Sequence, residues 1–114
     1  ERAAWEKRLA ASKKGEEFRR RMAGEADERW LQPYLGALLE NPPTVATRKA
    51  SEMALEVINV AVPATIGGSA DLTGSNNTKT KSTGPLTADD YSGRYIYYGI
   101  REFGMAAAMN GMAL

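Results

Sequence analysis

Glu102 is the residue of this sequence best placed to carry chemistry. It follows a short apolar stretch, residues 95–98, and a glycine turn at Gly99, and it stands at the start of a predicted helix. The helix dipole favours a charged carboxylate there, whereas burial beside Phe103 would favour the neutral acid. A carboxyl group held in this way can donate or accept a proton in a defined direction, as general acid–base catalysis requires. The local pattern alone favours a simpler role, a glutamate that stabilises the helix dipole.

A second polar cluster follows a glycine-containing strand predicted over residues 64–70. Asp71 ends that strand, and hydroxyl and amide side chains follow it at Thr73, Ser75 and Asn76. Ligands of open α/β sheets bind beyond the carboxyl ends of the strands, so these groups are a candidate rim of a binding site. A turn led by an aspartate explains the same residues equally well. The glycines match neither a Walker A loop nor a dinucleotide fingerprint, because the spacing and the lysine are absent.

Arg48 is the third candidate, in the first turn of a helix predicted from a cap at Thr44 or Thr47 to about Val60. The helix dipole disfavours a cation at that end. An arginine there can still serve if it meets an anion together with free backbone N–H groups, and the neighbouring hydroxyl groups suit a phosphate. The local pattern favours an ordinary exposed arginine.

Composition narrows the possible chemistry. The 114 residues contain no cysteine and no histidine. Disulfides, thiolate nucleophiles and imidazole bases or ligands are therefore excluded. With a net charge of +1 and no apolar run long enough to span a bilayer, neither nucleic acid nor a membrane is expected as a partner. The absence of cysteine fits a cytoplasmic protein.

Hydrophobic periodicity predicts helices in the first part of the chain. The first covers residues 1–12 with a stop at Gly15, and the second covers residues 16–22. A third is predicted from a cap at Asp27 to Glu40, with a strong apolar stripe. These helices carry the charged residues on their other faces, which is typical of surface helices.

An Asn-Pro-Pro break at residues 41–43 divides the chain, because proline ends helices. We predict a helical region over 1–43 and an α/β region over 44–114. The strand at 95–98 is apolar on both faces, as in a parallel sheet, and the polar stretch 73–94 before it is either functional or disordered. Two strands do not form a stable sheet alone, so we expect a fragment of a longer protein.

Three segments taken together resemble the transketolase family. The resemblance implies an incomplete thiamine-diphosphate-binding α/β fold: the end of the diphosphate-binding domain, the linker, and the start of the pyrimidine-binding domain. Gly74 departs from the family pattern, where many members have proline. The segments, in the family's order and spacing, are Thr47-Arg-Lys-Ala-Ser51, Gly67-Gly-Ser-Ala-Asp-Leu-Thr-Gly-Ser-Asn76 and Tyr97-Tyr-Gly-Ile-Arg-Glu-Phe-Gly-Met105.

The resemblance implies a role for each candidate residue. Transketolases are homodimers that use thiamine diphosphate and a divalent metal, Mg²⁺ or Ca²⁺, to move a two-carbon ketol unit from a ketose phosphate to an aldose phosphate in the pentose phosphate pathway. Glu102 matches the glutamate that hydrogen-bonds the N1′ nitrogen of the cofactor's aminopyrimidine, and Asp71 matches an aspartate near the cofactor. Arg48 and Ser75 match residues that hold the substrate's phosphate. The family's metal motif lies outside this sequence, so the chain alone is expected to be inactive.

Two alternatives stay open. A helical protein-interaction module would bind a partner through Arg19-Arg20-Arg21, although the nearby glutamates make a solvated helix face the simpler interpretation. A related ketol-transferring enzyme that uses thiamine diphosphate, and that acts on formaldehyde or releases acetyl phosphate, would carry the same motifs. The pair of Arg48 and Ser75 argues for phosphorylated substrates without excluding that enzyme.

Overall fold

The computed structural model describes residues 1–25 and 28–113. Gly15 is not the predicted stop of the first helix: it is buried and begins the second, and a side chain there would collide with the backbone oxygen of Leu9. The predicted cap at Asp27 lies outside the described residues. The helices of the first part are α1 (Arg2–Ala11), α2 (Gly15–Met22) and α3 (Leu31–Glu40).

Two of the three arginines of α2 form ion pairs within their own helix. Arg21 and Arg20 form ion pairs with the carboxylate of Glu17 at 2.6 and 3.1 Å. Hydrogen bonds from Arg21 and Arg20 hold the pKa of the Glu17 carboxyl below its ordinary value. Exposed pairs of this spacing are typical of a solvated helix face, which is the simpler of the two interpretations of this basic run.

The second part of the chain alternates helices and short strands. Its longest helix has Ala46 at its N-cap without a side-chain hydrogen bond, so the predicted caps at Thr44 and Thr47 are wrong, and Thr47 is the first helical residue. Arg48 lies in the first turn, as predicted. The elements are α4 (Thr47–Ala61), β1 (Gly67–Ser69), α5 (Thr73–Asn76), β2 (Tyr95–Tyr97) and α6 (Glu102–Ala113).

The two strands form a parallel pair, as the apolar character of the second strand predicts. Gly67 lies opposite Tyr95, and Ser69 lies opposite Tyr97. Parallel strands require a long crossover connection, and here α5 and the loop that follows it supply that connection. The strands place the residues that follow Ser69 and Tyr97 at the same edge of the pair.

The connection between the strands is ordered against β2. The backbone oxygen of Gly84 accepts hydrogen bonds from the N–H groups of Arg94 and Tyr95, and Leu86 N donates to Tyr95 O at 2.8 Å. Thr80 and Thr83 within it are buried. The loop therefore holds a short helix and a segment that lines the outer edge of β2, rather than being irregular throughout.

Arg94 joins the end of α4 to the start of β2. Its Nη2 donates to the backbone oxygen of Asn59 at 2.7 Å, and its Nη1 donates to Thr65 Oγ1 at 3.1 Å. A guanidinium group beside the last carbonyls of a helix also offsets the negative end of the helix dipole. Asn59 extends the junction, because its side-chain amide donates to Thr80 Oγ1 at 3.0 Å.

Little apolar surface is buried by these elements. Among the described residues, Ala70 and Tyr95 are the buried hydrophobic side chains. The accessible surface is 8902 Å², against about 6100 Å² for a compact monomer of this mass. Such an excess is expected of a segment that normally packs on further layers. In the part of the chain that the structure describes, no helix has the length and apolar character needed to cross a membrane.

Gly68 provides a stability test with a matched control beside it. A methyl group at Gly68 would lie 2.5 Å from the backbone oxygen of Ile96 and 2.6 Å from the ring of Tyr98, whereas nothing lies within 4 Å at Gly67. We expect Gly68→Ala to lower the free energy of unfolding by about 1–3 kcal/mol, and Gly67→Ala to change it by about 0.5 kcal/mol or less. Urea unfolding curves measure the free energy of unfolding of both variants. Equal midpoints would show that the close approach at Gly68 is not required.

Candidate functional site

The parallel pair brings the predicted site segments together at the carboxyl ends of its two strands. Ser69 and Tyr97 are register partners and the last residues of their strands. Asp71 follows the first strand and Glu102 follows the second, so both carboxylates lie beyond the same ends of the sheet. This is the location that open α/β folds use for ligands.

A cleft of about 260 Å³ opens beside this edge. Glu102 lines it together with Ser69 and Asn76, and much of the remaining wall is apolar, including Met105 and Met109. A few polar groups on largely apolar walls suit a flat ring that is recognised along one edge. An aminopyrimidine ring has this character, so the residues present fit the cofactor that the family resemblance implies.

Glu102 begins α6 and is the acidic residue of its first turn. Gly99, with a φ of 65°, makes the turn that leads from β2 into the helix. Glu102 is exposed and Phe103 is 90% exposed, so the described residues do not bury this carboxyl group. Within residues 1–25 and 28–113, no group of three or more acidic, histidine or cysteine side chains is placed to hold a metal ion.

Asp71 adopts a left-handed backbone conformation, with a φ of 64°. This conformation costs an L-residue roughly 1–2 kcal/mol, although aspartate tolerates it better than most residues. The turn is tied to the strand before it, because the Oγ of Ser69 accepts a hydrogen bond from Leu72 N at 3.1 Å. The Asp71 side chain is exposed at the edge of the sheet.

Arg48 and Ser75 meet although they are 27 positions apart in the sequence. Arg48 Nη1 donates to the backbone oxygen of Ser75 at 3.2 Å, and both residues are exposed. The neighbouring Asn76 lines the same cleft as Glu102. The structure therefore brings Arg48 and Ser75 into contact and sets them next to the cleft of Glu102.

Two buried hydroxyl groups support this arrangement without being singled out by the sequence pattern. Ser69 is 2% exposed and Tyr95 is 0% exposed. Two sequence features could have identified them: a serine at the end of the first strand and a tyrosine at the start of the second. A buried hydroxyl group needs a hydrogen-bond partner, so each predicts a polar contact. Those partners are distant in the sequence, so the pattern does not identify them.

The fold and the site define the class of this protein. A helix, a glycine-containing strand, a crossover and a second parallel strand with a glutamate after it form part of a thiamine-diphosphate-binding α/β fold. The family model described as "Transketolase, pyrimidine binding domain" matches residues 43–114. The chain belongs to the transketolase family.

Relatives and solved structures agree with this membership. The chain is 52% identical to a transketolase of Sinorhizobium medicae and 54% identical to one of Cereibacter sphaeroides; each match covers 99% of this chain but only 17% and 18% of the relative. A Pichia stipitis transketolase solved in complex with sedoheptulose-7-phosphate is 42% identical, with a TM-score of 0.82 over 97% of this chain and 18% of that one. The Leishmania mexicana enzyme is 39% identical, with a TM-score of 0.77, over 96% of this chain and 17% of its own. The chain thus spans less than a fifth of these proteins.

The left-handed turn at Asp71 can be tested with two substitutions. Asparagine tolerates this conformation, so Asp71→Asn is expected to change the free energy of unfolding by about 0.5 kcal/mol or less. A β-branched residue does not, so Asp71→Val is expected to lower it by about 1–2 kcal/mol. Urea unfolding curves of the two variants measure the difference. Identical curves would mean that the turn relaxes to another conformation at no cost.

Proposed function

We propose that the protein to which this chain belongs transfers a two-carbon ketol unit from a ketose phosphate to an aldose phosphate with thiamine diphosphate. The observation that carries the proposal is that Glu102 and Asn76 line one cleft, next to the contact between Arg48 and Ser75. Glu102, which can donate or accept a proton, thus lies next to Arg48 and Ser75, which suit a phosphate. The whole-chain identity to transketolases supports the same activity.

We place two parts of that enzyme in this chain. Residues 1–43 form the helical end of the diphosphate-binding domain and the linker, and residues 44–114 form the start of the pyrimidine-binding domain. The match of the family model from residue 43 onward supports this division. The same proposal includes a homodimer, Mg²⁺ or Ca²⁺ held by residues outside this chain, and a cytoplasmic enzyme of the pentose phosphate pathway.

Glu102 is the proposed proton-handling residue. When bound, thiamine diphosphate supplies the carbon centre that carries the ketol unit between the two sugars. Glu102 holds a proton at the N1′ nitrogen of the aminopyrimidine through a hydrogen bond, which is a task for a carboxyl group with a fixed direction. Its place at the first residue of α6 sets that direction, and Met105 and Met109 of the same helix form an apolar wall of the cleft. Asp71 is the second proposed cofactor contact.

Arg48 and Ser75 are the proposed phosphate ligands. The planar guanidinium group suits phosphate, because it donates several N–H groups in a fixed fork. In Arg48 the Nη1 atom bonds the Ser75 backbone, which orients the group toward the Ser75 side. Solved transketolases of Pichia stipitis carry the sugar phosphates sedoheptulose-7-phosphate and fructose-6-phosphate, which supports phosphorylated substrates here.

Glu102→Gln tests the catalytic assignment in the full-length enzyme. Glutamine keeps the size of the side chain but cannot exchange a proton, so kcat is expected to fall by about 10²–10⁴-fold with the fold unchanged. Turnover of xylulose 5-phosphate with ribose 5-phosphate measures activity, and circular dichroism measures the fold. Glu40→Gln is the matched control, since Glu40 is exposed at the end of α3 and far in sequence from the cleft. A silent Glu102→Gln would contradict the assignment.

The isolated 114-residue chain is expected to show no ketol transfer. It lacks histidine, and the described residues hold no cluster for a metal ion. The cofactor would therefore have no diphosphate anchor here, because a divalent ion normally bridges that diphosphate to protein carboxylates. The same xylulose 5-phosphate assay with the purified chain measures this, and turnover above the rate without protein would refute it.

A further inference from the structure

The hydroxyl group of Tyr95 lies at the centre of a hydrogen-bond network next to Ser75, which with Arg48 forms the proposed phosphate-binding pair. Tyr95 is fully buried, and its Oη is 2.8 Å from Thr73 Oγ1 and 2.7 Å from Thr78 Oγ1. These two threonines flank Ser75 in the sequence, at a distance of 22 and 17 positions from Tyr95. One buried group on β2 therefore holds both sides of the turn that carries Ser75.

The direction of each hydrogen bond follows from counting protons. Thr78 donates to Asn76 Oδ1 at 3.0 Å. A threonine hydroxyl has one proton, so Thr78 must accept from Tyr95, and Tyr95 must in turn accept from Thr73. Asn76 then donates to Ser69 Oγ at 3.2 Å. The network runs without interruption from Thr73 through Tyr95, Thr78 and Asn76 to the end of β1.

The turn depends on this network because it has little stability of its own. The helix α5, Thr73–Asn76, is a single turn, and helices so short are not stable in isolation. Ser75 lies inside it with its side chain exposed, and its backbone oxygen accepts the hydrogen bond from Arg48. Whatever fixes α5 also fixes the positions of the Ser75 hydroxyl and the Arg48 guanidinium relative to each other.

We propose that Tyr95 is a positioning residue for the substrate's phosphate, acting through Thr73 and Thr78 on Ser75 and Arg48. The proposal rests on the phosphate-binding role given above to that pair. Tyr95 touches neither substrate nor cofactor in this arrangement. It sets the geometry in which two groups from distant parts of the chain meet one phosphate.

Loss of the Tyr95 hydroxyl group is expected to affect KM for phosphorylated substrates and not KM for others. We expect the phosphate contacts to act as uniform binding, which stabilises the ground state and the transition state equally, so their loss raises KM and leaves kcat unchanged. Glu102 lies on α6, and its first turn is held by Arg101, which donates from Nη1 to Tyr98 O at 3.0 Å. Loosening α5 therefore leaves the proton-handling group in place.

The experiment is Tyr95→Phe in the full-length enzyme, which removes one oxygen atom and keeps the ring. With hydroxypyruvate as the donor throughout, we compare ribose 5-phosphate with glycolaldehyde, an acceptor without phosphate. Tyr95→Phe removes the two hydrogen bonds with Thr73 and Thr78. KM for ribose 5-phosphate is therefore expected to rise by at least about fivefold. KM for glycolaldehyde and both kcat values are expected to stay unchanged.

Tyr97→Phe is the matched control from the same strand. The Tyr97 hydroxyl group accepts a hydrogen bond from Lys79 Nζ at 2.8 Å, outside the network, and the residue is 53% exposed. This variant is expected to leave both KM values unchanged. If Tyr97→Phe raised KM for ribose 5-phosphate as much as Tyr95→Phe does, the effect would belong to the strand and the proposal would be overturned.

Arg48→Gln separates a failure of this inference from a failure of the proposed function. If Arg48→Gln does not change the ratio of the two KM values, the phosphate site itself is wrong. If Arg48→Gln changes the ratio and Tyr95→Phe does not, only the positioning role is overturned. The same holds if Tyr95→Phe raises both KM values equally. Should Tyr95→Phe not fold, Thr73→Val breaks the same link from the other side, and its ratio decides between these outcomes.

Discussion

The parallel register of β1 and β2 is the constraint on which the rest of this structure depends. Pairing Gly67 with Tyr95 and Ser69 with Tyr97 aligns the carboxyl ends of the two strands. A slip by one residue would turn every side chain to the opposite face. It would then take the Tyr95 hydroxyl group away from Thr73 and Thr78. The close approach of Tyr98 to Gly68 and the hydrogen bond from Tyr98 N to Ser69 O both belong to this register.

Hydrogen bonds between buried polar side chains accompany the small apolar core of this structure. The buried polar side chains include Asn59, Ser69, Thr80 and Thr83, and each of them takes part in a hydrogen bond. Each such bond contributes only about 0.5–1.5 kcal/mol net, so together they supply modest stability. Their directionality supplies more, because an unpaired buried hydroxyl group is costly and alternative packings are thereby disfavoured. The fold is specified by matching groups as much as by burial.

Features set by neighbouring residues could be predicted from the sequence, and features set by distant residues could not. The parallel strand, Arg48 in a first helical turn and Glu102 at a helix start follow from local pattern. Gly15 looks like a helix stop until α2 packs beside Leu9. The short helix α5 and its link to Tyr95 depend on pairing across the crossover, which leaves no periodic trace in the sequence. The family motifs name candidate residues from distant parts of the chain, which local pattern alone does not bring together.

The long crossover also determines when the site can form during folding. Thr73 and Tyr95 are 22 positions apart, Arg48 and Ser75 are 27 apart, and Asn59 and Arg94 are 35 apart. Closing such loops costs entropy before any contact is made, and structures rich in distant contacts fold slowly for this reason. The groups around the cleft are therefore expected to meet only after these loops have closed. The candidate site is thus expected to be among the last parts of the chain to form.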